Sequence, residues 1–161
     1  MGEFFTLSLL VKVIAITFAS FGFSMVIKIR REHVPYATAL ATITYIVYYT
    51  VLYFGASLFI AAFVSTAVGA VLSETLARLR GAPTIIFLLS AVIPTVPGGN
   101  LYYAMRGLIA EEMAFSTENL FIALKIALGI AGGTFAVAMI YGTVFNAVKR
   151  KIDSKKRAKT E

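Results

Sequence analysis

The chain has no cysteine, one histidine, four prolines and only eight acidic residues among 161. Without cysteine it forms no disulfide, offers no thiol nucleophile and ligates no metal through sulfur. A single histidine, His33, does not make a histidine-based metal site. No paired carboxylates, Ser–His pair or Cys/His cluster can be picked out, so the chain shows no enzyme constellation, and neither cofactor nor metal is expected. Charge is scarce too: 14% of residues are charged, against roughly 25% in an ordinary soluble domain, while 59% are hydrophobic. That excludes a soluble enzyme or a nucleic-acid-binding domain and defines an integral membrane protein. About 20 apolar residues make one helical span, so the length allows roughly four to six spans, which is small for a complete transporter. The opening Met1-Gly2-Glu3 is acidic, and the apolar run behind it is too long for a signal peptide, so it reads as a permanent span.

Five apolar stretches are expected as all-α transmembrane helices, over residues 4–29, 36–54, 57–77, an interrupted fourth from Pro83, and 119–148. The basic residues sort themselves between these stretches. Lys28, Arg30 and Arg31 follow the first, Arg78 and Arg80 the third, and seven bases from Lys149 to Lys159 the fifth. The connection near Gly55 is uncharged, and the one after the fourth stretch carries Glu111, Glu112 and Glu118. Basic loops stay cytoplasmic. Five crossings with the N-terminus outside and the C-terminus cytoplasmic place 12 of the 15 Lys and Arg residues (3, 2 and 7) on the inner side. The expected organisation is one transmembrane domain over residues 1–148 and a basic cytoplasmic tail over 149–161. The localisation expected with it is multi-pass in the cell inner (plasma) membrane. The tail reads as a disordered topology determinant that can also touch anionic membrane lipid. Its charges lack the aromatic platforms of nucleic-acid binders, so no nucleic acid is expected as a partner.

The fourth stretch carries the most information. From Pro83 to Ile93 is 11 residues, about 16 Å of helix, roughly halfway through a ~30 Å hydrocarbon core. Then come Pro94, Pro97, Gly98 and Gly99, followed by an amphipathic second half over residues 100–113. Prolines remove N–H donors and disfavour helix before them. The glycines permit positive φ and close backbone approach. Irregular backbone at this depth persists only when buried in protein or lining an aqueous cavity, and broken helices at the midplane mark transporter binding sites. Free carbonyls are expected at and before Ile93, and free N–H groups after Gly99, with Asn100 as cap. The N–H cluster suits a carboxylate. Two other readings stay open: a re-entrant hairpin, which would put the basic tail outside, and a proline kink with no site.

Ala91-Val-Ile-Pro-Thr-Val-Pro-Gly-Gly, followed by Tyr102-Tyr103-Ala-Met105, resembles the threonine/serine exporter (ThrE-like) family. The similarity is closest to its C-terminal half, which also occurs as a separate small YjjB-like subunit. Ala19-Ser-Phe-Gly-Phe-Ser-Met25 with Val34-Pro35, and Glu74-Thr-Leu-Ala-Arg78 with Ala82-Pro83, fit the same family. The resemblance covers residues 15–105 and extends further by hydropathy. The region after the first span, Lys28-Ile-Arg-Arg-Glu-His-Val-Pro, is longer and more basic than the family's Phe-Asn-x-Pro pattern. The resemblance implies export of small amino acids or related carboxylates, driven by an ion gradient. It also implies a larger YjjP-like partner subunit.

Other residues are weighed beside it. Thr38, Thr42, Tyr45, Tyr49 and Tyr53 share one face of the second stretch. They either bind substrate or hydrogen-bond between helices. Lys12 and Lys125 are intramembrane charges that snorkel to the outer surface or recognise a carboxylate. Glu74 is the one acid inside an apolar span. It either pairs with Arg78 at i, i+4 or couples transport to protons. Arg106 is an outer-mouth anion contact or an interface anchor. Ser65, Gly69 and Ser73, with Ala62, Thr66 and Ala70, form one small-residue face, and Gly129 with Gly133 forms another, read as packing faces. His33 reads as a solvated loop residue.

The expectation is therefore an exporter subunit for threonine, serine or related small carboxylates. Its substrate contacts would be Pro94, Pro97, Gly98, Gly99, Asn100, Tyr102, Tyr103 and Arg106, with Tyr45 and Tyr49, and Glu74 would be the coupling candidate. An accessory assembly subunit is the alternative, and a passive channel a third reading. Five is an odd number of spans, so the chain does not itself contain two equal transmembrane repeats. It needs a partner, another copy of itself, or both to enclose a pathway, as a homo- or hetero-oligomer.

Overall fold

The computed structural model describes residues 2–157, with side chains over residues 9–143. A backbone that meets hydrocarbon must satisfy its own N–H and C=O groups, which a helix does within one segment. The described residues are accordingly helical: α1 (Gly2–Val26), α2 (Val34–Tyr53), α3 (Leu58–Arg80), α4 (Thr84–Val92), α5 (Gly98–Ile109) and α6 (Met113–Arg157). A single 3₁₀ turn, Ile93–Thr95, stands between α4 and α5.

Four of these helices end in the same way. A residue in the left-handed region follows the last turn, and the next N–H reaches back five residues. Lys28, Gly55, Gly81 and Glu111 take φ of 56°, 80°, 61° and 60°. The returning bonds run from Ile29 N–H to the Ser24 carbonyl, Ala56 to Val51, Ala82 to Ala77, and Glu112 to Gly107, at 2.8–3.4 Å. This closure occupies carbonyls that would otherwise be orphaned. At the other end of α3, the Ser57 hydroxyl accepts from the Ile60 N–H at 3.4 Å, an N-cap.

α3 is the central helix, packed against α2 and α4 on one side and α6 on the other. Both contacts use small residues. A Cβ on Gly69 would stand 2.7 Å from the Thr44 hydroxyl and 3.3 Å from Ala91. On the opposite side, a Cβ on Gly129 would stand 2.6 Å from the Phe59 carbonyl and 2.8 Å from the Ala62 Cβ. Gly133 has equally little room against Phe63 and Thr66. The two small-residue stripes thus act as packing faces within one chain, where bare backbone lets helices close up. Ser65, Thr66 and Ser73 are buried among them, and each hydroxyl donates to a carbonyl of α3 itself.

The contacts also set direction. Phe59 meets Gly129, and Thr75 meets Tyr141 with the hydroxyls 3.2 Å apart, so α3 and α6 run parallel. α4 therefore runs back along α3, and α5 continues beside the first part of α6. The sixteen residues of α6 before Gly129, about 24 Å of helix, carry α5 as an antiparallel neighbour. There the Ser116 hydroxyl donates to the Ala104 carbonyl at 2.7 Å, and Gly107 lies flush on Ser116.

The basic residues of the two short loops collect at one end. Ile29, Val34, Ala37, Leu40, Ala77, Phe87 and Ala91 form a core cluster that joins the α1–α2 loop to the end of α3 and the start of α4. Around it, Arg80 bonds the Tyr36 hydroxyl and covers its ring, and Arg78 lies 5.3 Å from the Tyr141 ring. His33 belongs to this cluster rather than to solvent. Its ring is edge-on to buried Phe87 at 5.5 Å, and its Nδ1 is buried without a hydrogen-bond partner. The expected solvated histidine is therefore a packing residue, because the chain folds back on itself within a few residues of α1. The tail also departs from expectation, since α6 continues as helix to Arg157 instead of becoming disordered at residue 149. The seven tail side chains lie outside the described residues.

By length and apolarity three helices qualify as spans: Leu9–Val26, Leu58–Arg80 and Met113–Thr143. The bent pair Thr84–Thr95 and Gly98–Ile109 qualifies jointly as a fourth. α2 has 20 residues, long enough to cross, but its threonines and tyrosines lower its apolarity.

Candidate functional site

The helix break is where the sequence places it, and its details differ in instructive ways. α4 stops at Val92, and Ile93-Pro94-Thr95 tightens into the 3₁₀ turn. Val96 is extended, and α5 begins at Gly98 with an axis bent by 55°. Two prolines three residues apart cannot both be accommodated in an α-helical ladder, which accounts for the rupture.

The last two carbonyls before Pro94 are occupied. The Ile93 carbonyl accepts from the Val96 N–H at 3.1 Å, and the Val92 carbonyl accepts from the Thr95 hydroxyl at 2.7 Å. Of the carbonyls expected to be free at and before Ile93, those of Val92 and Ile93 are therefore occupied, while Ser90 loses its helical donor because Pro94 has no N–H. The donor side is open. The Leu101 N–H bonds the Pro97 carbonyl, the Gly98 N–H bonds Val96, and the N–H groups of Gly99 and Asn100 are left among the orphans of the α5 N-terminus. Asn100 does not cap the helix. Pro97 stands at that position, and the Asn100 side-chain amide instead donates to the side-chain Oδ1 of Asn119 on α6 at 3.3 Å.

Gly98 and Gly99 are exposed, have no positive φ, and would meet nothing of this chain within 4 Å if given a Cβ. The expected close approach to them is therefore not made by any described residue. Pro94, Pro97 and Asn100 are half-buried, and Thr95 is buried. Beyond the glycines, Tyr102 and Tyr103 stand edge to face at 5.5 Å, largely exposed, and Tyr103 leans on Phe115. Arg106 is exposed in the last turn of α5, where a cation complements the helix dipole.

The polar stripe of α2 faces elsewhere. The hydroxyls of Thr42 and Thr17 of α1 lie 3.0 Å apart, and the Lys12 ammonium sits 5.0 Å over the Tyr49 ring. Tyr45 stacks beside Tyr49 at 6.4 Å. Tyr49, with Tyr45 beside it, thus faces Lys12 of α1, whereas α2 meets the 3₁₀ turn and α4 by another face. Sequence reasoning missed Thr44 on that other face. Thr44 is fully buried against Gly69, and its hydroxyl has no hydrogen-bond partner. Its signal was the offset of Thr44 from the stripe at 38, 42, 45 and 49. Glu74 makes the i, i+4 ion pair with Arg78 at 3.7 Å, at the basic end of α3 and away from the break. Among the described residues no cluster of His, Asp or Glu could hold a metal ion.

Long apolar helices packed around a helix broken by Pro-x-x-Pro-Gly-Gly define a multi-pass membrane protein of the transporter class. The family model described as Threonine/Serine exporter, ThrE, matches residues 12–140, from Lys12 about three turns into α1 through the break and most of the apolar part of α6. The chain belongs to the threonine/serine exporter family, a family of exporters and not of enzymes. No curated protein and no solved structure matches it.

Proposed function

We propose that the chain is the small subunit of a secondary exporter of threonine, serine or related small carboxylates, that it crosses the inner membrane five times with its basic tail cytoplasmic, and that a larger YjjP-like subunit completes it. The observation that carries this reading is the polarity of the break. Its Val92 and Ile93 carbonyls are taken up internally while donor N–H groups at Gly99 and Asn100 remain at the start of α5, an arrangement that favours an anionic group there. The 55° bend and the parallel course of α3 and α6 support a fourth segment that crosses, since a returning hairpin would reverse direction. In this reading the substrate carboxylate meets the break at Pro94, Pro97, Gly98, Gly99 and Asn100. Tyr102 and Tyr103 line the outer approach, and Arg106 attracts the anion there. Tyr45 and Tyr49, joined by Lys12, form a second polar group on the α1 side. Glu74 is the coupling candidate, released from Arg78 when it takes up a proton.

The bare glycine face supports the need for another chain. Irregular backbone exposed to lipid is not tolerated, so in this reading Gly98 and Gly99 face a water-filled cavity that another chain helps to enclose. Gly98→Leu tests the site cleanly, because the added side chain meets nothing in this subunit. Vesicles containing both subunits should assemble normally with this variant and lose most of their substrate flux. Unchanged flux would remove the break from the pathway. The same bare face also suits an accessory subunit that braces the larger one. Full transport by the larger protein alone would establish that role instead.

A further inference from the structure

A groove of about 930 Å³ runs between α1 and α2, separate from the helix break. Its walls are apolar, with Phe21 and Met25 on α1 and Pro35, Ala39 and Ile43 on α2. At its deep end the hydroxyls of Thr17 and Thr42 are engaged with each other and with the carbonyls of Val13 and Thr38 at 2.8 and 3.0 Å. Thr38 also lines the groove, and its hydroxyl is unpartnered but buried beneath the surface. The groove therefore offers no solvent-accessible free hydroxyl to a zwitterionic metabolite. From Met25 to Thr17 it follows eight residues of α1, about 12 Å, close to the depth of one leaflet of a ~30 Å hydrocarbon core.

Its mouth has the opposite character. Arg31 lines the groove at the basic end of the molecule. It is exposed and makes no hydrogen bond or ion pair with any described residue. Lys28, also exposed, lies three residues beyond Met25, and its side chain makes no hydrogen bond or ion pair with any described residue. The nearby acid, Glu32, is held by Arg30 at 2.9 Å and neutralises neither of them. A hydrocarbon slot one leaflet deep, opening beneath uncompensated cations, has the shape and charge of half a phospholipid.

We propose that this groove is a binding site for an anionic phospholipid of the leaflet at the basic end, with one acyl chain lying between α1 and α2 and the phosphate on Arg31. The site rests on the membrane reading of the chain and not on the export reading, and its test measures lipid rather than flux.

The test uses the full chain purified in neutral detergent, with phosphatidylglycerol and phosphatidylcholine of identical acyl chains as probes and retained lipid read by native mass spectrometry. One basic contact corresponds to a preference for phosphatidylglycerol of about fivefold. Arg31→Gln should bring retention of phosphatidylglycerol down to that of phosphatidylcholine, and Arg31→Lys should keep most of the preference. Ala39→Phe, which fills the slot, should lower retention of both. Equal retention of the two lipids by the unaltered chain overturns the proposal, and so does an Arg31→Gln variant that keeps the preference. A Phe21→Cys variant that cross-links between two copies, with no lipid preference in the unaltered chain, would assign the groove to self-association and also overturn it. Arg31 makes no internal bond, so the Arg31→Gln result decides the matter even if Ala39→Phe folds poorly.

Discussion

Glycines that look alike in the sequence differ sharply in their surroundings. Gly129 and Gly133 press on the backbone of α3, while Gly98, Gly99 and Gly142 face open space. Gly129→Leu would drive a side chain into the Phe59 carbonyl and Ala62, and overpacking of this kind costs about 1–3 kcal/mol. Thermal melting in detergent should show that loss for Gly129→Leu and almost none for Gly142→Leu. Equal melting of the two variants would mean that α3 and α6 do not pack as described. The GxxxG spacing was legible as a packing face because four-residue periodicity is a local property of a helix. Its partner was not, since nothing local ties residue 129 to residue 59. His33 was misread for a related reason. A loop histidine looks solvated until Phe87, 54 residues away, is brought beside it.

At the scale of elements, the break is the feature most fully legible, because proline acts covalently and needs no tertiary context to rupture a helix. Its fine structure was less legible. Whether carbonyls or N–H groups are left over depends on how Thr95 and Val96 turn back, which is a matter of local geometry that composition does not set. Replacing Pro94 and Pro97 together by Ala restores two donors and relieves two steric clashes, so the 55° bend should diminish. Spin labels at Ile85→Cys and Ile109→Cys, both on exposed positions, should then report a longer distance than in the protein with both prolines. An unchanged distance would mean that packing on α6, and not the prolines, holds the bend. The α2 stripe teaches the complementary lesson. Its periodicity correctly marked a polar face, but a single helix does not reveal which neighbour that face meets, and here it is α1.

For the whole molecule, the basic residues of the α1–α2 loop and of the α3 end meet around one core cluster. The family model's span from Lys12 to Ile140 covers the helices that bring them together. The absence of cysteine makes the proposed sidedness directly measurable. An impermeant thiol reagent applied to intact cells should modify Phe54→Cys and Glu112→Cys, and should leave Arg30→Cys and Leu79→Cys unmodified until the membrane is opened. The reverse pattern would invert the orientation, and labelling of Phe54→Cys and Arg30→Cys from the same side would remove α2 as a span. The parallel pairing of α3 with α6 has a further consequence, in time. Gly133 is made 70 residues after Phe63, its neighbour, which at about 5–20 residues per second is roughly 4–14 s of synthesis. Throughout that interval one side of the central helix has no mate, so the molecule's main seam is closed last, and a chain halted before Gly129 is left with Ala62 and Thr66 uncovered.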